Sequence, residues 1–173
     1  CVFCGIHSPD SVAQCVDTGK WFCNARLNNK AACIVQHLVR AKKQTVRLHE
    51  DSPLGDSTIE CYNCGNANVF NIGSLPTKGQ DVVVLLCRIC LGETSSLKEQ
   101  GWEVDKWSAL IQDQEFVGWL LKVPSEKEQT RARQVTSSQI RALEDLWRNN
   151  PNATMEDIQR DTQQDDGPNP VQA

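Results

Sequence analysis

Apolar residues in this chain fall into short groups whose spacing changes from one stretch to the next. Cys33 and His37 are four apart, with Ile34, Val35, Leu38 and Val39 around them, which predicts a short helix. Phe70 and Ile72 are two apart in Asn68-Val69-Phe70-Asn71-Ile72, as one face of a strand requires, and Gly73 follows. Val82-Val83-Val84-Leu85-Leu86 lies between Lys78-Gly79 and Cys87 and predicts a buried strand. Phe116, Val117, Leu120 and Leu121 have i, i+3, i+4 spacing, which predicts a helix within 102–121. With Trp102, Trp107, Leu110, Ile111 and Trp119 it is expected to cover the core.

The last third is punctuated by cap signals. Ser125 precedes Glu128 by three residues, and Thr136 precedes Gln139 likewise, so each predicts a capping box. The second helix would place Ile140, Leu143, Leu146 and Trp147 on one side, and Asn149-Asn150-Pro151 would stop it. Thr154 and Asp157 predict a last short turn. From Gln163 on, Gln, Asp, Gly and Pro dominate, the composition of a linker.

The chain has 173 residues, enough for one ordinary domain or two small ones. Hydrophobic residues are 39% and charged residues 23%, so membrane and disordered classes are excluded. No apolar run approaches the ~20 residues a bilayer span needs. It starts at Cys1 and its one Met is Met155, so it is expected to be cut from a longer protein. Residues 1–90 carry 9 Lys/Arg against 7 Asp/Glu, and residues 91–173 carry 9 against 15. The overall −4 gives no general attraction to phosphate. Arg40, Lys42, Lys43 and Arg47 form the basic cluster of the first half, and a solvated face is the simpler reading.

All 9 cysteines and all 3 histidines lie in residues 1–90. Three C-x2-C pairs occur: Cys1/Cys4, Cys61/Cys64 and Cys87/Cys90. Two thiolates three positions apart on a tight turn suit one tetrahedral Zn2+, and a disulfide framework rarely repeats that spacing. A zinc protein of a reducing compartment, cytoplasmic or also nuclear, is expected. Cys61, Cys64, Cys87 and Cys90 make a four-thiolate ribbon site. The first 50 residues hold Cys1, Cys4, Cys15, Cys23, Cys33 and His37, too many for one site and too few for two. Cys33 and His37 could share a metal or feed two, and spacing leaves this open.

The residues Cys1-Val-Phe-Cys4-Gly5-Ile6-His7, Lys20-Trp21-Phe22-Cys23-Asn24, Ile34-Val-Gln-His37-Leu38-Val39-Arg40-Ala41-Lys42 and Glu60-Cys61-Tyr62-Asn63-Cys64-Gly65 come in that order. Asn68-Val69-Phe70, Val82-Val-Val-Leu-Leu-Cys87-Arg88, Trp107, Leu110-Ile111-Gln112-Asp113, Trp119-Leu120 and Pro124-Ser125-Glu126 continue the series. Over roughly residues 1–160 this resembles the cysteine–histidine-rich domain of the regulator of nonsense transcripts 1 family, the up-frameshift RNA helicases of nonsense-mediated mRNA decay. The resemblance implies a small zinc-stabilised α+β fold. It divides into a RING-like cross-braced module (1–50), a zinc-ribbon-like module with a covering helix (51–122), a helical extension (123–160) and a flexible linker (161–173) toward helicase domains not in this sequence.

Carried over by position, the resemblance implies one zinc site at Cys1, Cys4, Cys23 and Cys33, where the family usually has His in place of Cys33. Another falls on Cys61, Cys64, Cys87 and Cys90, where the family usually has one more residue between the last two ligands. An interleaved site would fall on Cys15, Thr18, His37 and Lys43. The family places Cys where Lys43 stands, and a protonated ammonium has no lone pair to give. Two zincs are therefore expected, with the third site weakened. Asp17, His7 or His49 could replace its missing donors, or Lys43 could pair with the Cys15 thiolate.

No phosphate-binding G-x-x-x-x-G-K-[ST] run occurs, so no catalysis is expected of this chain. The resemblance implies a regulatory and protein-interaction domain. It would dock the second up-frameshift factor and modulate the helicase core of the same polypeptide, with RNA bound through the parent protein and no membrane contact. Val39, Tyr62, Phe70 and Val82 are the candidate partner-binding residues, each equally readable as core. The rival readings are a RING-type ubiquitin ligase, with Ile6 near the conjugating enzyme, and a nucleic-acid-binding zinc ribbon.

Overall fold

Strands as short as those in this chain are held by what packs on them. The computed structural model describes residues 1–77, 82–93 and 102–158. In the first half, β1 (Val12–Cys15) pairs antiparallel with β2 (Trp21–Cys23) and β3 (Val46–Leu48), in the order β2-β1-β3. Helix α1 (Cys33–Ala41) buries every residue from Cys33 to Leu38. It stops where Lys42 turns left-handed (φ 58°) and its N–H returns to the carbonyls of Leu38 and Val39. The predicted Cys33–His37 helix is therefore present.

The second sheet has the order β5-β4-β6, from β4 (Ile72–Pro76), β5 (Val83–Cys87) and β6 (Ser108–Ala109). The expected strand over 68–72 is not formed. The Asn residues that precede it close turns: Asn66 Oδ1 accepts from Asn68 N at 2.8 Å, and Asn68 Oδ1 accepts from Phe70 N at 3.0 Å. The strand starts only at Ile72. The Val82 run is a strand as predicted, but it is buried only at its end. Val82 and Val83 are 52% and 49% exposed, and Leu86 is buried. β5 is an edge strand, so one flank of this run lacks a neighbour that would cover it. Lys78-Gly79 lies outside the described residues.

Gly73 permits the closest approach in this sheet. A Cβ there would meet Trp107 Cε2 at 2.3 Å and Ser108 O at 2.5 Å. The indole lies across the strand and donates from Nε1 to Leu86 O at 2.8 Å.

The helix expected within 102–121, the covering helix of that module, is absent among the described residues. Val104–Lys106 is a single 3-10 turn, and β7 (Ile111–Gln112) pairs with β8 (Glu115–Phe116) as a hairpin. Asp113 and Gln114 both have positive φ, 52° and 63°, the two-residue turn that joins antiparallel strands. That turn is incompatible with a helix. The i, i+3, i+4 spacing is used only for one turn, in which Leu121 N donates to Val117 O. The covering role survives: Leu110, Phe116, Leu120 and Leu121 are buried.

Both predicted N-caps form, but only the second is a full capping box. Ser125 Oγ accepts from Glu128 N ahead of α3 (Glu126–Arg131), and Glu128 also takes the Ser8 hydroxyl at 2.6 Å. Thr136 and Gln139 form a full reciprocal box ahead of α4 (Ser137–Trp147). Residues 155–158 are helical, and Asp157 Oδ2 accepts from Thr154 N at 2.9 Å. The expected linker 161–173 lies outside the described residues.

Candidate metal centres and a buried Cys–His–Glu relay

The two thiol clusters are built on one plan. In each, a C-x2-C turn supplies two sulfurs, the end of a strand a third, and a short helix the fourth. The turns Cys1–Cys4 and Cys61–Cys64 each close on a left-handed glycine, Gly5 (φ 87°) and Gly65 (φ 76°). Their N–H groups donate to Cys1 O and Cys61 O, both at 2.9 Å. A side chain at those φ values would be strained. Cys23 ends β2 and Cys87 ends β5. Cys33 opens α1 and Cys90 lies in α2 (Arg88–Gly92).

In each cluster, Cys1/Cys4/Cys23/Cys33 and Cys61/Cys64/Cys87/Cys90, the four sulfurs lie within 4.8 Å of one another. Cys4 and Cys23 sulfurs are 3.5 Å apart, and Cys64 and Cys87 sulfurs 3.7 Å. Hydrogen bonds from Cys23 and Cys33 pull the Cys4 thiol down to about 3. Cys23 is pushed up to about 12: Cys33 favours its thiolate, but Cys4 and burial oppose it. One negative charge thus resists the next. A dication at the centre would stabilise all four. Four soft donors of this kind suit a closed tetrahedral site. Asn63 Nδ2 donates to Cys90 Sγ at 3.2 Å, supporting the second cluster from outside.

The third set of residues behaves differently. Cys15 is fully buried and hydrogen-bonded to His37. His37 Nε2 is 3.5 Å from Thr18 Oγ1, and Nδ1 is 2.6 Å from Glu144 Oε2. Phe22 stacks on the imidazole at 4.1 Å between centroids, and Trp147 meets it edge-on at 5.8 Å. Burial pushes the Cys15 thiol up, but His37 and Thr18 outweigh it and leave the thiol below its usual value. Burial pushes the His37 imidazolium down, but Cys15 and Glu144 outweigh it and leave it raised. His7 and His49 are not part of this set. His7 faces Gly5 O, and His49 lies against Trp21 and Asp51. Lys43 lines the adjoining cavity with Thr18 and His37, and the charge partner in place is Glu144.

Glu144 escapes a sequence reading that seeks apolar faces. The signal was its position: Ile140, Leu143, Glu144 and Trp147 follow i, i+3, i+4, i+7, so an acid stands on the buried stripe. Asn24 escapes for the same reason, as a fully buried amide between β2 and β8.

Of the four candidate partner residues, Val39, Tyr62 and Val82 are exposed and Phe70 is half-buried. Val39 and Phe70 share a groove of about 850 Å³ with Val35 and Ile111. Tyr62 packs edge-on against Trp102 at 5.8 Å, in the neighbourhood of β5. Among the described residues no helix is long and apolar enough to cross a membrane.

Two four-cysteine clusters on a small α+β scaffold define a cysteine-rich metal-site domain. A family model described as RNA helicase (UPF2 interacting domain) matches residues 1–150. The chain is 53% identical over 158 residues to the putative regulator of nonsense transcripts 1 of Takifugu rubripes, covering 91% of this chain and 14% of that protein. It is 47% identical over 171 residues to the regulator of nonsense transcripts 1 homolog of Neurospora crassa, 99% of this chain and 16% of that one. It is 44% identical over 165 residues to ATP-dependent helicase NAM7 of Saccharomyces cerevisiae, 95% and 17% respectively. The chain belongs to the regulator of nonsense transcripts 1 family and spans less than a fifth of the length of these relatives. Neither rival reading, ubiquitin ligase or nucleic-acid zinc ribbon, is favoured by these matches.

Proposed function

We propose that this chain is a zinc-stapled docking domain that binds UPF2 and modulates, in cis, the helicase and RNA-binding activity of the longer protein it comes from. The observation that carries this reading is the match of residues 1–150 to a domain described as UPF2-interacting. The metal sites support it. Zinc in the two thiol clusters would fix the opening turn to α1 and the second C-x2-C turn to β5 and α2, contributing folding energy to loops that bury little by themselves. Both sites take all four ligands from protein, which leaves no open position for a substrate, so the domain works by binding rather than by catalysis.

The docking surface we assign is the groove of Val39 and Phe70, with exposed Tyr62 and Val82 beside β5 as further anchors. Exposed apolar anchors of this kind concentrate interface energy. RNA is bound by the helicase core rather than by this acidic domain. Calorimetric titration with UPF2 tests the surface. Val39→Asp, at an exposed position, is expected to weaken binding at least tenfold while zinc content and melting temperature hold, and Phe70→Asp to weaken it as much with some loss of melting temperature, since Phe70 also packs on the core. Unchanged affinity in both variants would remove the groove from the interface.

A further inference from the structure

Helix α4 carries one buried carboxylate, and it is aimed at a histidine. Glu144 is 9% exposed and its Oε2 is 2.6 Å from His37 Nδ1. Nδ1 is thereby occupied, which leaves Nε2 as the ring atom for Cys15 and Thr18. Three separate elements meet here: Cys15 ends β1, His37 lies in the middle of α1, and Glu144 lies on α4.

A metal ion does not suit this set. A structural zinc needs four donors around one point. On the Nε2 side of His37 the donors are the Cys15 sulfur and a neutral Thr18 hydroxyl. Glu144 sits across the ring on Nδ1 and cannot share an ion with Nε2. Lys43 offers an ammonium with no lone pair. Among the described residues, the groups with three or more converging ligand side chains are the two thiol clusters, and Cys15 and His37 belong to neither.

The charges close without a metal. With the Cys15 proton moved to His37, the direction in which both groups lean, thiolate, imidazolium and carboxylate would alternate in sign along one line of hydrogen bonds and leave one net negative charge. The cavity beside them, about 690 Å³, is lined by Arg40, Lys42, Lys43 and Arg141, with Asp17 and Asp145 opposing. Those four cations make no ion pair among the described residues and line the same cavity as His37 and Glu144. Phe22 stacked on one face of the imidazole, and Trp147 at its edge, hold the ring plane fixed.

We infer that the Cys15–His37–Glu144 relay stands where a metal would otherwise be, and that it fastens β1, α1 and α4 together by alternating charge with no zinc bound. This rests on the zinc reading of the two thiol clusters only for the absolute metal count, not for the test. The test is a difference in count, read by native mass spectrometry after equilibration with excess Zn2+. Wild type and Cys15→Ala are expected to carry the same number of zincs. One zinc fewer in Cys15→Ala would overturn the inference. Should Cys15→Ala fail to fold, Lys43→Cys gives the answer from the other side. It adds the absent third strong donor at the cavity wall, and is expected to take up one zinc more than wild type. An unchanged count in Lys43→Cys would mean that the wild-type site is already filled, and would overturn the inference equally. Two zincs in the wild type support the reading of the thiol clusters. Fewer than two would sink that reading while leaving the difference between variants to decide this one.

Discussion

Asn24 holds Phe116 by both of its backbone polar groups: its Nδ2 donates to Phe116 O at 2.9 Å and its Oδ1 accepts from Phe116 N at 3.0 Å. The same amide nitrogen donates to Leu121 O at 2.8 Å. Asn24 is fully buried one residue after Cys23, so a side chain beside the first thiol cluster serves as the missing strand neighbour of β8. Asn24→Ala orphans these backbone groups and is expected to cost about 3 kcal/mol. Urea unfolding measures it. A loss under about 1 kcal/mol would mean that the hairpin does not lean on this residue.

Gly73→Ala places a methyl against Trp107 and the Ser108 carbonyl. The indole is held by its hydrogen bond to Leu86 O and cannot retreat without breaking it. The substitution is expected to destabilise by about 1–3 kcal/mol, the range for overpacking a filled site. Tryptophan fluorescence of the folded state should shift as well. An unchanged melting temperature would contradict the close approach.

The Glu144–His37 contact gives a pH signature. The folded His37 value is raised above its ordinary 6.5. The stability contributed by its pairing is therefore fully present below about pH 6.5 and is lost as pH rises through the raised value. Cys15, Thr18 and Glu144 face the ring directly, with Lys43 and Arg141 on the cavity wall. Glu144→Gln keeps a hydrogen-bond acceptor and removes the charge, at an expected cost of about 1–3 kcal/mol. The gap in melting temperature between wild type and Glu144→Gln should be widest near pH 6 and should close on the alkaline side. A gap that widens with pH would reverse the assigned charges.

The two thiol clusters differ in access. Cys64 is exposed, whereas in the first cluster Cys4, Cys23 and Cys33 are buried and Cys1 is half-buried. A chelator should therefore withdraw zinc in two phases, the fast one from the second cluster. Cys64→Ala should delete the fast phase and leave the slow one. Loss of both phases together would tie the clusters into a single unit.

C-x2-C geometry is local, so spacing alone made the Cys61/Cys64/Cys87/Cys90 cluster legible; in the first cluster it singled out only Cys1 and Cys4, and Cys23 and Cys33 were assigned by the family resemblance. The capped helix α4 was equally legible, since Thr136 and Gln139 satisfy each other within four residues. The errors came where one signal can be used in two ways. Phe116, Val117, Leu120 and Leu121 have helical spacing, but the left-handed pair Asp113-Gln114 decides for a hairpin. The Asn-rich stretch before Ile72 spends its side chains on turns rather than a strand. The stripe position of Glu144 hinted at burial, but its partner is 107 residues away, and no local pattern encodes such a pairing.

Helix α1 is a rigid rod, and its first residue and its fifth report to different masters. Cys33 is tied to the first thiol cluster, while His37, just over one turn along, is tied through Glu144 to α4. A rod cannot let go at one end and stay put at the other. The cluster and the His37–Glu144 contact are therefore fastened to the same short helix. Helix α4 is thus placed as a handle: its Glu144 is tied to His37, which lies about 6 Å along α1 from Cys33 of the first thiol cluster.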